Sequence, residues 1–219
     1  MLLEKIKEKG FEKCFFSYST ICELHSPCLK NNQCKYRSNV QVVDFDKCKD
    51  KYCSETNTQS LKSVDALLLL SNCIYLIEIK GWRDFVKNNK VTDTNIAKQI
   101  NRFELGKKYV DSFFLLKYLS DRTDFELTRK ERDSFLITDK CFVLVTDIDY
   151  NENALSYLSV GLNFLAESSS EIHFNSCYDA TQSAIKQLDI EGKYGIRNPT
   201  KQILLTCKAF DDFVSRLIS

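Results

Sequence analysis

The chain has 219 residues, of which 43% are hydrophobic and 28% charged, and its net charge is +1. That length and balance suit one globular domain with a full core and exclude a disordered chain. Near-neutral charge excludes a protein that holds nucleic acid by bulk positive charge, so such a contact needs local basic patches, a dimer or a DNA-binding partner.

With six Gly and two Pro, long flexible linkers are not expected. No internal repeat or low-complexity tract interrupts the chain. Residues Met1 to Gly10 predict a short charged helix, with Leu2, Leu3 and Ile6 as its buried stripe and Gly10 as its stop. The segment lacks the apolar run of a signal peptide, and no stretch reaches bilayer-spanning length. The expectation is a cytoplasmic protein with no membrane partner.

Residues 14–53 hold six of the ten cysteines: Cys14, Cys22, Cys28, Cys34, Cys48 and Cys53. His25, one of two histidines, lies among them. In a cytoplasmic protein disulfides are not expected. Structural Zn²⁺ would take four ligands from Cys22, His25, Cys28, Cys34, Cys48 and Cys53, although no Cys-x2-Cys knuckle is present. Plain reduced thiols, packing as small hydrophobes, are the alternative. Cys73, Cys141, Cys177 and Cys207 stand in or beside apolar runs and read as core. Gln41 to Asp46 alternates weakly and predicts a strand. Lys30, Lys35, Arg37, Lys47, Lys49, Lys51 and Lys62 make this region a candidate contact for a nucleic-acid backbone, or an ordinary solvated loop face.

Residues 61–82 organise the chain. Two apolar runs, Leu61 to Leu70 and Cys73 to Lys80, flank Ser71-Asn72 and predict a hairpin. With Ser71-Asn72 as the loop, Leu70 pairs with Cys73 and Ala66 with Ile77, which puts Asp65 opposite Glu78. Opposed residues share a face with Cβ atoms roughly 5 Å apart. Lys80, two residues beyond Glu78, shares that face. Two facing carboxylates in an apolar setting need a proton or a cation between them. Mg²⁺ or Mn²⁺ suits such a pair, with backbone carbonyls and water completing the shell. The alternative is a solvated sheet face with Lys80 as a cross-strand ion partner.

Val64-Asp65, a spacer and then Glu78-Ile79-Lys80 resemble the motif of the PD-(D/E)XK nuclease superfamily, with Val64 where the motif's name has Pro. The resemblance implies a restriction-endonuclease-like core. It also implies metal held by Asp65, Glu78 and the Ile79 carbonyl, and Lys80 positioning water or stabilising charge on the phosphate. An acidic residue of the first helix often joins that site, which makes Glu4, Glu8 and Glu12 candidates beside their reading as a solvated face. An iron–sulfur cluster, found in some exonuclease-type members, becomes a further reading of the cysteines.

Trp82 to Thr92 predicts a smaller hairpin turning at Asn88-Asn89, with Trp82 packing on the core or stacking on a base. A long helix follows, capped by Thr94 or Asn95, with Ile96, Ile100, Phe103, Val110, Phe114 and Leu115 on its core face. Lys98, Arg102, Lys107 and Lys108 fall largely off that stripe, where phosphates are within reach. Gln99 resembles the glutamine of the exonuclease-type Gln-x3-Tyr motif, with Phe103 in place of Tyr. It reads equally as a surface glutamine. Asp121 to Asp133 predicts a charged loop or helical extension. Phe135 to Thr138 and Cys141 to Thr146 predict strands, the second buried on both faces. Asp147 and Asp149 end it, near the metal site or as turn starters. Ala154 to Ala166 predicts a helix, Glu171 to Phe174 a strand, Asp179 to Leu188 a helix, Gln202 to Cys207 a strand, and Phe210 to Ile218 a closing helix.

Strands interleaved with helices predict an α/β fold with a mixed central sheet between helices. One domain over residues 1–219 is expected, with 14–53 as a zinc-stabilised cysteine-rich segment inside it. The expected function is Mg²⁺-dependent hydrolysis of DNA phosphodiesters by Asp65, Glu78, Lys80 and Gln99. The setting expected is a restriction or antiviral defence complex with an ATPase or helicase partner. The alternative is a non-catalytic nucleic-acid-binding or scaffolding subunit with a degenerate nuclease fold and structural zinc. A thiol-based redox enzyme is a third reading, disfavoured by the missing Cys-x2-Cys.

Overall fold

The predicted hairpin forms the middle of the sheet. The computed structural model describes residues 2–25, 36–59, 61–70, 72–148 and 165–218, with 165–172 described as backbone only. Strands β3 (Ala66–Leu70) and β4 (Cys73–Lys80) pair antiparallel in the register deduced above, from Leu70 opposite Cys73 to Ala66 opposite Ile77. Two further antiparallel strands continue from β3: β2 (Gln41–Asp44), then β1 (Tyr18–Thr20) at the edge. On the other side, β5 (Asp139–Thr146) and β6 (Lys201–Thr206) run parallel to β4. The described residues thus form one mixed six-stranded sheet in the order β1-β2-β3-β4-β5-β6.

Alternation along the central strands divides the core into two layers. Leu67, Leu69, Ile74, Leu76, Phe142 and Leu144 face one layer. Ala66, Tyr75, Ile77, Ile79, Val143 and Val145 face the other. Helices α1 (Leu2–Glu12), α3 (Phe45–Thr56), α4 (Arg83–Asn88), α5 (Asp93–Phe103), α6 (Leu105–Asp121), α7 (Arg129–Ile137), α8 (Leu165–Lys186) and α9 (Ile190–Tyr194) contribute to the first layer. The short α2 (Ile21–Leu24) and α10 (Cys207–Ile218) cover the second.

Several local expectations are overturned. Gly10 does not stop α1. It lies inside the helix because the Phe16 ring packs against it, where a Cβ would come within 2.1 Å of that ring. Trp82 to Thr92 is not a hairpin: Arg83–Asn88 coils into α4 and Trp82 is fully buried, donating Nε1 to Thr181 Oγ1 at 3.0 Å. Packing, not base stacking, is what Trp82 does here.

The long helix is two helices. Thr92 caps α5, its hydroxyl accepting from Asn95 N, so the cap lies earlier than Thr94 or Asn95. Glu104 then takes a left-handed conformation (φ 49°) and breaks the run before α6. Phe135 to Thr138 is not a strand, because a Thr128–Glu131 capping box starts α7 and carries helix to Ile137. Glu171 to Phe174 lies within α8 rather than in a strand. The predicted helix at 154–166 falls mostly outside the described residues.

Candidate active site

The C-terminal ends of β2, β4 and β5 and the start of β3 meet at one end of the sheet, an edge formed by strand termini. Asp65 stands one residue before the first paired residue of β3, and its carbonyl accepts from Phe45 N at 3.0 Å, which ties its backbone to the end of β2. Helix α6 holds the approach to it: Asp111 Oδ2 accepts from Lys62 N at 2.8 Å, and Ser112 Oγ accepts from Val64 N at 2.9 Å. Asp65 Oδ2 accepts from Ile79 N at 2.7 Å, which ties the carboxylate to β4.

Glu78 is fully buried. Lys80 Nζ and Lys108 Nζ each stand 2.6 Å from its Oε1, as ion contacts rather than aligned hydrogen bonds. Its Oε2 has no hydrogen-bond partner among the described residues. Burial pushes the Glu78 carboxyl up to about 7, and the charge of Asp65 adds to this against the pull of Lys80 and Lys108. Lys108 also lies 3.6 Å from Asp65 Oδ1. Burial works against the Lys108 charge, but Glu78 and Asp65 outweigh it and hold its pKa above the ordinary value.

Other groups complete the edge. Lys80 Nζ lies 5.4 Å from the centre of the Phe103 ring, which steadies its stem. Thr146 pairs in register with Lys80, and its buried Oγ1 has no hydrogen-bond partner among the described residues. Asp147 follows at once, accepting from Trp82 N at 2.7 Å and Arg83 N at 3.3 Å. Burial raises the Asp147 carboxyl pKa against those two N–H groups. His25 reaches the same place from the end of α2: a Cβ on Gly81 would meet His25 Cε1 at 2.6 Å and Asp147 Oδ2 at 3.0 Å. Burial lowers the His25 pKa, opposed by Asp147 and Asp65.

The arrangement gathers Asp65, Glu78 and Lys80 as the sequence places them. Gln99 stands half-buried on α5, one turn before Phe103, and its side chain makes no hydrogen bond among the described residues. Two members of the cluster were missed. Lys108 was placed among outward cations, and His25 among zinc ligands. Lys108 lies three residues after Leu105 and four before Ser112, both buried on α6, a phase that follows only once the helix restarts after Glu104. Nothing in the sequence carries His25 to Gly81, because that contact is tertiary.

Cys22 and Cys48 do not come together. Cys22 packs in the layer under α2, while Cys48 is fully buried in the opposite layer, where burial raises its thiol pKa. Cys53 is five residues along α3 from Cys48 and donates to Gln59 O at 3.8 Å. One Zn²⁺ therefore cannot take both Cys22 and Cys48, and Cys28 and Cys34 lie outside the described residues. Among the described residues no three His, Cys, Asp or Glu side chains converge as a metal cage.

Glu12 is engaged by Lys9 and Lys13 rather than reaching the site. The basic neighbourhood is also largely engaged: Lys49 pairs with Asp46, Lys47 with Asp44, Lys62 with Glu104, and Lys51 with the Lys13 carbonyl. Lys30, Lys35 and Asp149 lie outside the described residues.

A hard divalent cation is the group the motif implies. Asp65 and Glu78 supply oxygen donors of the right chemistry, and the bare Glu78 Oε2 is an acceptor awaiting a partner. Lys108 occupies the space between the carboxylates, so a cation fits these residues once that ammonium withdraws. No described helix is long and apolar enough to cross a membrane. Comparison with protein-family models, with curated proteins and with solved structures finds no match.

Proposed function

We propose that the protein is a metal-dependent nuclease that hydrolyses DNA phosphodiester bonds at the Asp65–Glu78–Lys80 edge. The observation that carries this reading is the fully buried Glu78, with one oxygen unpartnered, beside Asp65 and Lys80. A buried carboxylate left half-satisfied costs stability, and sites that bear such a cost are commonly functional. Mg²⁺ or Mn²⁺ held by Asp65, Glu78 and the Ile79 carbonyl would supply Lewis acidity toward a phosphoryl oxygen. Lys80 donates to the attacking water or to the oxygens gathering charge on the phosphate. Lys108, displaced from the carboxylates, becomes a second cation for those oxygens. His25, kept neutral by burial, accepts a proton from the water.

A specific observation favours a second reading. Lys108 already neutralises the carboxylate pair, as it would in a non-catalytic nucleic-acid-binding subunit with a degenerate site. Cleavage assays separate the two. Supercoiled, linear and single-stranded DNA are incubated with Mg²⁺, Mn²⁺ or EDTA, using wild type, Asp65→Asn and Lys80→Ala. Metal-dependent cleavage lost in both variants supports the nuclease. Binding without cleavage in all three proteins supports the degenerate subunit.

A further inference from the structure

At the opposite end of the central strands, two thiols meet. Cys73 opens β4 and Cys141 is the third residue of β5, on the neighbouring parallel strand. Both face the layer that α10 covers. Cys73 Sγ donates to Cys141 Sγ at 3.2 Å, a separation about 1 Å longer than a disulfide bond. Cys73 is half-buried and open to small solutes, whereas Cys141 is 5% exposed.

We propose that Cys73 and Cys141 form a redox-modifiable pair, closed to a disulfide by hydroperoxides and reopened by small thiols. No other pair of thiols is seen in contact among the described residues. Cys14 is exposed and Cys53 half-buried, but neither has a thiol neighbour among the described residues. Cys48, Cys177 and Cys207 are buried in the core layers.

The chemistry divides between the two sulfurs. The hydrogen bond from Cys73 lowers the Cys141 thiol pKa, and the Lys201 ammonium adds to that against burial. The same hydrogen bond, together with burial, raises Cys73. Cys141, the sulfur that accepts this hydrogen bond, is the one favoured as thiolate, and Cys73, which donates it, is the resolving thiol. The Cys141 sulfur attacks one peroxide oxygen, the O–O bond breaks, and a first water leaves, its hydrogen coming from solvent. The Cys73 sulfur then attacks the Cys141 sulfenic acid, the S–S bond forms, and the hydroxyl leaves as a second water. Two thiols lose two electrons and two protons, and one hydrogen peroxide becomes two waters.

Register argues that the bond is reversible. Cys73 pairs with Asp139 and Cys141 with Tyr75, so the cysteines are diagonal neighbours rather than direct partners. Closing the bond draws the starts of β4 and β5 together against the ladder, and a strained disulfide is the more easily reduced. Glu78 lies five residues further along β4, roughly 16 Å away at about 3.3 Å per residue. The pair is thus separate from the candidate active site, and its test does not depend on nuclease activity.

The test is a hydrogen peroxide titration of the intact full-length protein, followed by blocking of free thiols and peptide mapping. Cys141 and Cys177 share the tryptic peptide 141–186, so a second cleavage at Asp147 is needed to tell them apart. The expected result is a Cys73–Cys141 link at limiting peroxide, before Cys14 or Cys53 is modified, with loss of two hydrogens in mass and full reversal by dithiothreitol. The Cys73→Ser variant, at a half-buried position, keeps its circular dichroism spectrum, loses the link and stops at Cys141 sulfenic acid, which dimedone traps. Cys73 and Cys141 both blocked as free thiols while other cysteines oxidise would overturn the proposal. So would a link joining either of them to a different cysteine.

Discussion

Lys108 holds its Nζ 2.6 Å from Glu78 Oε1 and 3.6 Å from Asp65 Oδ1, so an ammonium from α6 stands where two carboxylates face each other. Both groups are desolvated, which makes their mutual dependence strong. A divalent cation binding there must displace that ammonium or share its carboxylates. Lys108→Met therefore tightens Mn²⁺ binding by roughly tenfold or more, since removing a nearby like charge shifts such equilibria by about one log unit or more. Isothermal titration on both proteins measures it. Without metal the same variant is destabilised by about 1–3 kcal/mol, because Glu78 loses one of two counter-ions. Weaker Mn²⁺ binding in the variant would show that Lys108 supports the ion rather than standing in for it.

Glu78 makes stability and metal binding depend on pH in opposite senses. Its carboxyl is raised from an ordinary 4.5 to about 7, mainly by burial. Between those values the folded protein holds a proton that the unfolded chain has released. Stability of the metal-free protein therefore falls as pH rises from about 4.5 to about 7, by an amount on the order of 3 kcal/mol, and stays low above that. Denaturant melts at pH 5 and pH 8 read this directly, and Glu78→Gln should flatten the difference. Metal binding runs the other way, strengthening through pH 7 as the carboxylate forms. Cleavage should fall below pH 7 on a one-proton limb.

The central hairpin was legible because two isolated charges, Asp65 and Glu78, interrupt apolar runs and the loop length leaves one register. Strand β5 was legible because Cys141 to Val145 is a continuous apolar run. The Lys108 contact was not, and the reason is the break at Glu104. A non-glycine residue at φ 49° carries no signal in the sequence, and it resets the helical phase. Counting through the break placed Phe114 inward and Lys108 outward. The structure has Phe114 52% exposed and Lys108 turned onto Glu78. The approach of His25 to Gly81 was not legible either, because it joins the end of α2 to the end of β4 through tertiary packing alone.

Trp82 is the only tryptophan and is fully buried between Phe85 and Phe103, with Nε1 on Thr181. Phe103 in turn lies under Lys80. Trp82→Ala leaves a cavity and takes one donor from the Thr181 hydroxyl, which keeps its bond to the Cys177 carbonyl, and should cost about 3–5 kcal/mol. Urea unfolding followed by circular dichroism measures it. In wild type the Trp82 emission should shift when Mn²⁺ or DNA moves Lys80. An unchanged spectrum at saturating ligand would place the binding site elsewhere.

Asp65→Asn separates charge from position. The asparagine keeps a carbonyl oxygen for the Ile79 N–H, so the turn into β3 survives. It removes one negative charge facing Glu78. The Glu78 carboxyl should move down toward its ordinary range, and the pH dependence of stability should shrink with it. Mn²⁺ binding should weaken at least tenfold, since one of two anionic donors is gone. Calorimetry and the pH 5 to pH 8 stability difference give the two readouts. A variant that binds Mn²⁺ as well as wild type would remove Asp65 from the site.

Gly81→Ala tests whether His25 belongs to the reaction. The added Cβ would lie 2.6 Å from His25 Cε1, 2.9 Å from Nε2 and 3.0 Å from Asp147 Oδ2. Something must shift, and the His25 ring can move more readily than Asp147, which two backbone N–H groups of α4's first turn hold in place. The imidazole is then pushed off the Asp65–Lys80 edge while the sheet stays intact. Cleavage should fall roughly 10²-fold, the scale of losing a positioned proton acceptor, and stability by no more than about 1–2 kcal/mol. His25→Ala should match it in rate, and the double variant should lose no more than either alone, because both changes remove one interaction. Additive losses would mean that Gly81 serves the site through Asp147 and the turn into α4 rather than through His25.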